Sequence, residues 1–248
     1  MKKKIGFFGG DSQIGTTMLA QSFAEELAEK GLRVLLIFGS GKAGDMYVNL
    51  SQDKSIDDLK ASIRSGKVER EEFFQTLEHK KTLWMLPSVR NPFVAKYYPE
   101  NTYEVLMESV EDYFDYVVFD GGSDVNLGLW ISALNICQER YFVTTQQAKS
   151  VIRFKLYQKQ ILEPLQVDGM LIINKYMKDP ALYLKSDILR ILGRQEALLV
   201  PYIEYGWQAE MEGKTLLEHK RFERALASLV EVYEPTMKKE RKWTRNFV

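Results

Sequence analysis

The sequence predicts an α/β domain with a doubly wound, mostly parallel sheet and helices on both faces. Three observations support this class. Short continuous apolar runs alternate along the chain with longer segments whose apolar residues recur at helical spacing. The first apolar run ends in glycines and leads directly into a helical segment. No internal repeat or low-complexity linker divides the chain, so a single domain over residues 1–237 is the simplest interpretation.

The elements follow from these patterns in chain order. The apolar runs predicted as strands are residues 5–8, 33–38, 83–86, 116–120, 140–144, 169–174 and 197–201. The segments predicted as helices are residues 17–30, 55–59, 68–77, 103–113, 150–161 and 222–233. The pieces at 55–59 and 68–77 are expected to lie on the surface.

Composition excludes several classes of protein. The 34 basic and 34 acidic residues give a formal net charge of zero, which argues against a uniformly basic nucleic-acid binder, and no sequence-specific nucleic-acid contact is expected. The single cysteine, Cys137, excludes a disulfide framework. Glycine and aspartate interrupt the first apolar run too early for a signal peptide, and no run approaches the ~20 apolar residues that cross a bilayer. We therefore expect a cytoplasmic protein.

A phosphate-binding loop is predicted between the first strand and the first helix. Such a loop directs successive backbone N–H groups and a helix amino terminus at an anion, with the consensus G-x-x-x-x-G-K-[ST]. Gly10 and Gly15 have the required spacing, and Thr17 stands at the position of the magnesium-binding hydroxyl. Thr16 stands where the lysine belongs. The alternative is a glycine-rich turn without a ligand.

Over nearly its whole length the chain resembles the ParA/MinD family of P-loop ATPases. Residues 10–18 align without a gap with that family's deviant loop, A-K-G-G-x-G-K-T-T, so that Ser12, Gln13 and Ile14 fill its middle. The family's signature lysine falls on Asp11 and its phosphate lysine falls on Thr16. The resemblance implies a P-loop NTPase fold of the SIMIBI type and a nucleotide site formed by residues 10–17.

Other family positions are partly retained. The carboxylates that follow the second strand in the family are replaced by Phe38 and Ser40. Asp120 matches the Walker B aspartate, which would hold magnesium together with Thr17; capping of the glycine turn at 121–122 is the alternative. Asn174, followed by Lys175, matches an adenine-reading position, since an amide offers both a donor and an acceptor. The segment 201–218, beginning at Pro201, resembles the loop that borders the base.

The two replacements remove up to two positive charges and add a negative one beside the phosphates. Phosphoryl transfer depends on charge neutralisation at the γ-phosphate. We therefore expect ATP or ADP with Mg²⁺ to bind weakly or not at all, and hydrolysis to run near background.

Three functions remain open. The first is a pseudo-ATPase that recruits protein partners to a cellular site; the resemblance implies a homodimer. Gly44 and Asp45 resemble the pilus-assembly branch, CpaE/TadZ, which would make a pilus or secretion machine the cargo. The second is an active but atypical ATPase that uses Lys42 or Lys149 as its cation. The third is an adaptor tethered to a membrane by its tail.

The carboxy-terminal tail, residues 238–248, mixes cations with Trp243 and Phe247. This mixture suits an anionic lipid surface, and MinD proteins use a carboxy-terminal amphipathic helix for that purpose. A solvated, frayed end is the favoured interpretation. Two aromatic clusters, 93–98 and 202–207, are interpreted either as partner contacts or as packing.

Overall fold

The structure, a computed structural model, describes residues 3–41, 53–125 and 128–233. Within them the chain forms one sheet of eight strands. The strands are β1 (Lys3–Gly9), β2 (Val34–Phe38), β3 (Glu78–Lys80), β4 (Leu83–Leu86), β5 (Tyr116–Gly122), β6 (Glu139–Thr145), β7 (Met170–Tyr176) and β8 (Leu198–Pro201).

The strand order is β3-β4-β2-β5-β1-β6-β7-β8, and every pair is parallel except the antiparallel hairpin of β3 with β4. From β1 the chain moves to β2 on one side, and from β5 it crosses to β6 on the other. This reversal makes the carboxyl end of β1 a topological switch point, where α/β sheets form ligand sites. The doubly wound, mostly parallel sheet is confirmed.

Helices cover both faces of the sheet. They are α1 (Thr16–Glu29), α2 (Lys60–Ser65), α3 (Arg70–Thr76), α4 (Thr102–Glu108), α5 (Gly128–Ile136), α6 (Ala148–Tyr157), α7 (Lys185–Leu192), α8 (Trp207–Met211) and α9 (Lys220–Glu231). Shorter 3₁₀ turns occur at Ile56–Leu59, Pro92–Tyr97 and Leu216–Glu218, and α6 continues into a π-helical turn at Gln158–Leu162.

The sheet separates two apolar cores. On one face α1 and α9 pack through Phe23 and Leu226 against inward-facing residues of the central strands. On the other face lie α2 to α7, with Phe73, Trp130 and Phe154 fully buried. Strands buried on both faces explain why the central runs of the sequence are continuously apolar.

Several local predictions are corrected. The predicted surface pieces at 55–59 and 68–77 bury one face, because Ile56, Leu59 and Phe73 lie in the core. Strand β3, with the pattern Glu-His-Lys, escaped prediction because an edge strand needs no apolar run. Helix α5 was missed because it is apolar almost all round and shows little helical periodicity.

Candidate functional site

The predicted phosphate loop follows β1 at the switch point, and α1 begins directly after it at Thr16. Gly10 donates its N–H to the Val143 carbonyl at the end of β6, 3.2 Å away. A Cβ at Gly10 would lie 3.2 Å from the Cα of Phe154, so α6 packs directly on the loop. Gly15 caps α1 with a left-handed backbone, φ +87°, and no side chain caps the helix. The amino terminus of α1 and the middle of α6 therefore meet at this loop.

The middle of the loop is held by the end of β7. The Asn174 amide donates to the Ile14 carbonyl at 2.7 Å, and the Lys175 ammonium donates to the Gln13 carbonyl at 2.8 Å. Asn174 is 4% exposed. Partial desolvation lowers the pKa of Lys175. Asn174, predicted to read adenine, thus contacts the loop itself.

The predicted magnesium pair is brought together. The Thr17 hydroxyl donates to the Asp120 carboxylate at 2.7 Å, across a sequence separation of 103 residues. The other Asp120 oxygen accepts the Gly122 N–H at 3.1 Å, and the side chain is buried. Asp120 therefore caps the glycine turn through one oxygen and contacts Thr17, the other predicted magnesium ligand, through the second. Hydroxyl and carboxylate oxygens are ligands that Mg²⁺ prefers, so this pair fits the metal.

Thr16, at the lysine position, is 6% exposed. A Cβ at Gly9 would lie 2.6 Å from its hydroxyl oxygen, so the side chain packs back against the end of β1. It adds no charge to the loop.

Asp11, at the signature-lysine position, forms an ion pair that the sequence did not reveal. Its carboxylate accepts a hydrogen bond from the Arg153 guanidinium on α6 and another from the Ser12 N–H at 2.8 Å. Only 14% of the Asp11 side chain is exposed. Arg153 was missed because 142 residues separate it from Asp11 and no local motif surrounds it.

The positions that carry carboxylates in ParA/MinD proteins lie beside Asp120. Phe38 pairs with Asp120 across the sheet, and Gly39 donates its N–H to the Asp120 carbonyl at 2.9 Å. Ser40 packs against Gly122. The Tyr103 ring is fully buried nearby, and burial strongly raises the pKa of its hydroxyl. This edge of the site offers Asp120 as its carboxylate, with an apolar ring and a hydroxyl at the replaced positions.

The other predicted positions that the structure describes are Pro201, the two aromatic clusters and Lys149. Pro201 ends β8 and pairs with Tyr176, one residue after Lys175. Tyr202, Tyr205 and Trp207 beyond it are exposed, whereas Tyr98 of the other aromatic cluster is buried, unlike its neighbours Phe93 and Tyr97. Lys149 is exposed on the first turn of α6. Lys42, Gly44, Asp45 and the tail at 238–248 lie outside the described residues.

Comparisons with known proteins agree with this architecture. The chain is similar to a ParA family ATPase from Chlorobium tepidum, with a TM-score of 0.77 and 20% identity over 92% of this chain and 96% of that one. It is similar to MinD from Pyrococcus horikoshii complexed with Mg-ADP, with a TM-score of 0.74 and 15% identity over 93% and 95% of the two chains. A MinC:MinD complex from Aquifex aeolicus matches with a TM-score of 0.71 and 21% identity over 95% and 96%.

No protein-family model and no curated protein matches the chain. At these identities the structural matches show the fold: it is the P-loop fold of ParA and MinD ATPases.

Proposed function

We propose that this chain, which has the fold of ParA and MinD ATPases, is a positioning or assembly protein of that family with a degenerate nucleotide site. It binds ATP or ADP with Mg²⁺ weakly or not at all, hydrolyses ATP near background, and acts by recruiting protein partners. The observation that carries this proposal is the contact between Thr17 and Asp120, the predicted magnesium ligands, beside a loop in which Asp11 and Thr16 occupy the positions of the family's lysines.

Charge at the loop supports low activity. Transition-state charge on a transferring phosphoryl group is stabilised by cations, and a single arginine supplied to such a site is worth about 10³ to 10⁵ in rate. The lysine position here holds a neutral, buried threonine. A carboxylate at position 11 disfavours a second anion in the same loop.

Exposed apolar side chains support recruitment of protein partners. Ile152 and Leu156 are more than half exposed on successive turns of α6, and Lys149, Lys155 and Lys159 are exposed around them. Apolar side chains ringed by charge are common at protein interfaces. The MinD of Aquifex aeolicus, which this chain is similar to, is in a complex with MinC. A homodimer, and a pilus or secretion machine as the cargo, are the finer parts of the same proposal.

The test uses purified full-length protein. Calorimetric titration with ATP and Mg²⁺, together with a phosphate-release assay, should give weak or undetectable binding and turnover near background. Asp120→Ala and Thr17→Ala serve as controls for any turnover that is seen. Brisk turnover that Asp120→Ala abolishes would contradict the degenerate site. Mass in solution, measured with and without MgATP, tests the homodimer.

An active but atypical ATPase remains the second candidate. Arg153 favours it, since a guanidinium beside the loop can neutralise phosphate charge. The phosphate-release assay is repeated on Arg153→Gln. If the wild-type protein hydrolyses ATP and Arg153→Gln does not, the result favours the atypical ATPase.

A further inference from the structure

The Asp11 carboxylate is held as a bound anion would be. Its Oδ1 accepts from a backbone N–H of the loop, that of Ser12, and from the Arg153 guanidinium. Backbone N–H groups of a loop together with a cationic side chain are the donors that phosphate sites present to phosphate, and a guanidinium is well suited to that role. The Asp11 side chain is largely shielded, so the contact is built into the site.

Arg153 is positioned by packing of its helix. The neighbouring residue, Phe154, is fully buried, and its backbone lies against Gly10, where any side chain would collide. This contact fixes the first two turns of α6 beside the loop. The Arg153 side chain itself is 47% exposed, so its remaining donors can reach a second anion.

A second cation also contacts the loop. Lys175 approaches from β7 and donates to the Gln13 carbonyl. Residues 9–17 contain no basic side chain, yet the folded loop contacts a guanidinium from α6 and an ammonium from β7. The positive charge absent from the motif is supplied from 142 and 162 positions further along the chain.

We propose that Asp11 is an internal competitor for the loop and that Arg153 is the cation the two anions compete for. The competing ligand is the phosphate group of a nucleoside diphosphate or triphosphate. When such a phosphate binds, the Asp11 carboxylate gives up the Ser12 N–H and Arg153 turns to the incoming anion. This inference deepens the proposed function, because it gives the weak affinity of the degenerate site a specific cause.

The experiment is a double-mutant cycle on the full chain. Wild type, Asp11→Asn, Arg153→Gln and the double variant are titrated by calorimetry with Mg-ADP and with magnesium pyrophosphate. Asp11→Asn should bind about tenfold tighter than wild type, as expected for releasing one charge-assisted hydrogen bond. In the Arg153→Gln background the same change should gain at most about twofold. If wild type binds below detection, the first gain is a lower bound.

The control is Asp187→Asn on α7. It removes a carboxylate from another aspartate–arginine pair, Asp187 with Arg190, and changes net charge equally. Its affinity for both ligands should match wild type, and thermal unfolding of every variant confirms that each one folds. Equal gains for pyrophosphate and ADP would show that Asp11 competes with the phosphate group, and tighter binding of ADP than of pyrophosphate by the same variant would show that the nucleoside contributes.

Three results would overturn the proposal: unchanged affinity in Asp11→Asn, an equal gain with and without Arg153, or no binding by any variant at millimolar ligand. The last result would leave the partner-recruiting function intact, since that function allows a loop without a ligand. A failure of the proposed function would appear in a different measurement, as fast phosphate release by the wild-type protein.

Discussion

Gly15 shows how one residue type at one position shapes the loop. Its backbone is left-handed, a conformation that glycine adopts without steric cost. Space is restricted as well, because a Cβ there would lie 2.5 Å from the Asn174 amide nitrogen. That amide is the group that holds the Ile14 carbonyl. A side chain at position 15 would therefore strain the backbone and displace the contact between β7 and the loop.

Gly15→Ala should reduce the free energy of unfolding by about 2–4 kcal/mol, since it combines a left-handed alanine with the loss of a buried hydrogen bond. Gly66→Ala is the matched control: its φ is +80°, close to that of Gly15, but no atom lies within 4 Å of its added Cβ. The control should lose only about 1 kcal/mol. Chemical denaturation measures both, and equal losses would show that Asn174 does not contribute.

Gln13 adopts a left-handed backbone, φ +59°, at a position that is glycine in the ParA/MinD loop. Non-glycine residues are uncommon in this region. Lys175, which contacts its carbonyl, is also left-handed at φ +54°. Two strained residues joined by one hydrogen bond indicate that the surrounding packing fixes this conformation.

At the scale of elements, α1 links the phosphate loop to the carboxy-terminal segment. Glu25 on α1 accepts hydrogen bonds from Gln21 in the same helix and from Thr215, which precedes the 3₁₀ turn at Leu216–Glu218. Burial is the largest influence on this carboxyl and raises its pKa, although both hydrogen bonds act in the opposite direction. The segment that resembles the base-bordering loop is therefore attached to α1 through a titratable contact.

A raised carboxyl pKa in the folded state means that protonation favours folding. The stabilisation from protonated Glu25 is fully present below its ordinary pKa of 4.5 and is lost as the pH rises through the raised value. Glu25→Gln removes this titration. The difference in the free energy of unfolding between Glu25→Gln and wild type should therefore shift in favour of Glu25→Gln as the pH rises from 4 to 7. Denaturation at both pH values checks this, with Glu223→Gln, an exposed carboxyl on α9, as the control.

Helix α6 packs into the core and against the phosphate loop on one face and is exposed to solvent on the other. Its buried face, Val151, Phe154 and Tyr157, belongs to the core, and Phe154 also sets the distance to Gly10. Its exposed face carries Ile152, Leu156 and Arg153. A helix that contacts the loop on one side and is open to solvent on the other can connect the state of the loop to partner binding.

At the scale of the whole molecule, Tyr233 packs the end of the described chain against α1 and the sheet. The last described residue is fully buried, its ring packs on Phe23 and Tyr116, and its hydroxyl bonds to Tyr141 and Glu139. The boundary predicted at residue 237 lies outside the described residues and stays a prediction.

Tyr233→Ala should cost about 3–5 kcal/mol of unfolding free energy, because it opens a cavity between α1 and the sheet. A chain ending at residue 237 keeps this tyrosine and should unfold within about 0.5 kcal/mol of the full chain. Thermal and chemical denaturation compare the two. A truncated chain as unstable as Tyr233→Ala would place part of the tail inside the domain.

The tail hypothesis has its own test. In the part of the chain that the structure describes, none of the helices has the length and apolar character to cross a membrane. The proposed membrane contact rests on the composition of the tail, residues 238–248. If residues 238–248 bind lipid, the full chain should sediment with anionic vesicles while the chain ending at 237 stays in the supernatant. Equal sedimentation would dismiss the tether.

The sequence by itself determined the features that depend on local order. Continuous apolar runs predicted the buried strands, the spacing of Gly10 and Gly15 placed the loop between strand and helix, and Asp11 and Thr16 marked the missing lysines. Predictions failed at β3 and α5, where burial did not produce the expected periodicity, and helix α7 (Lys185–Leu192) was also missed although its buried residues, Ile188 and Leu192, follow helical spacing. A local pattern reports which face of a segment is buried, and it is weakest at an edge strand or in a helix that is apolar all round.

Only the tertiary structure decided what surrounds the loop. Arg153, Asn174 and Lys175 reach it from α6 and β7, more than 130 positions away in the chain. Thr17 meets Asp120 because β1 and β5 are neighbours in the sheet. Charge at a site is the sum of all groups that folding brings within a few ångströms, and a motif contains only its own. The sequence therefore predicted a loop without cations, whereas in the folded chain two cationic side chains, Arg153 and Lys175, contact it.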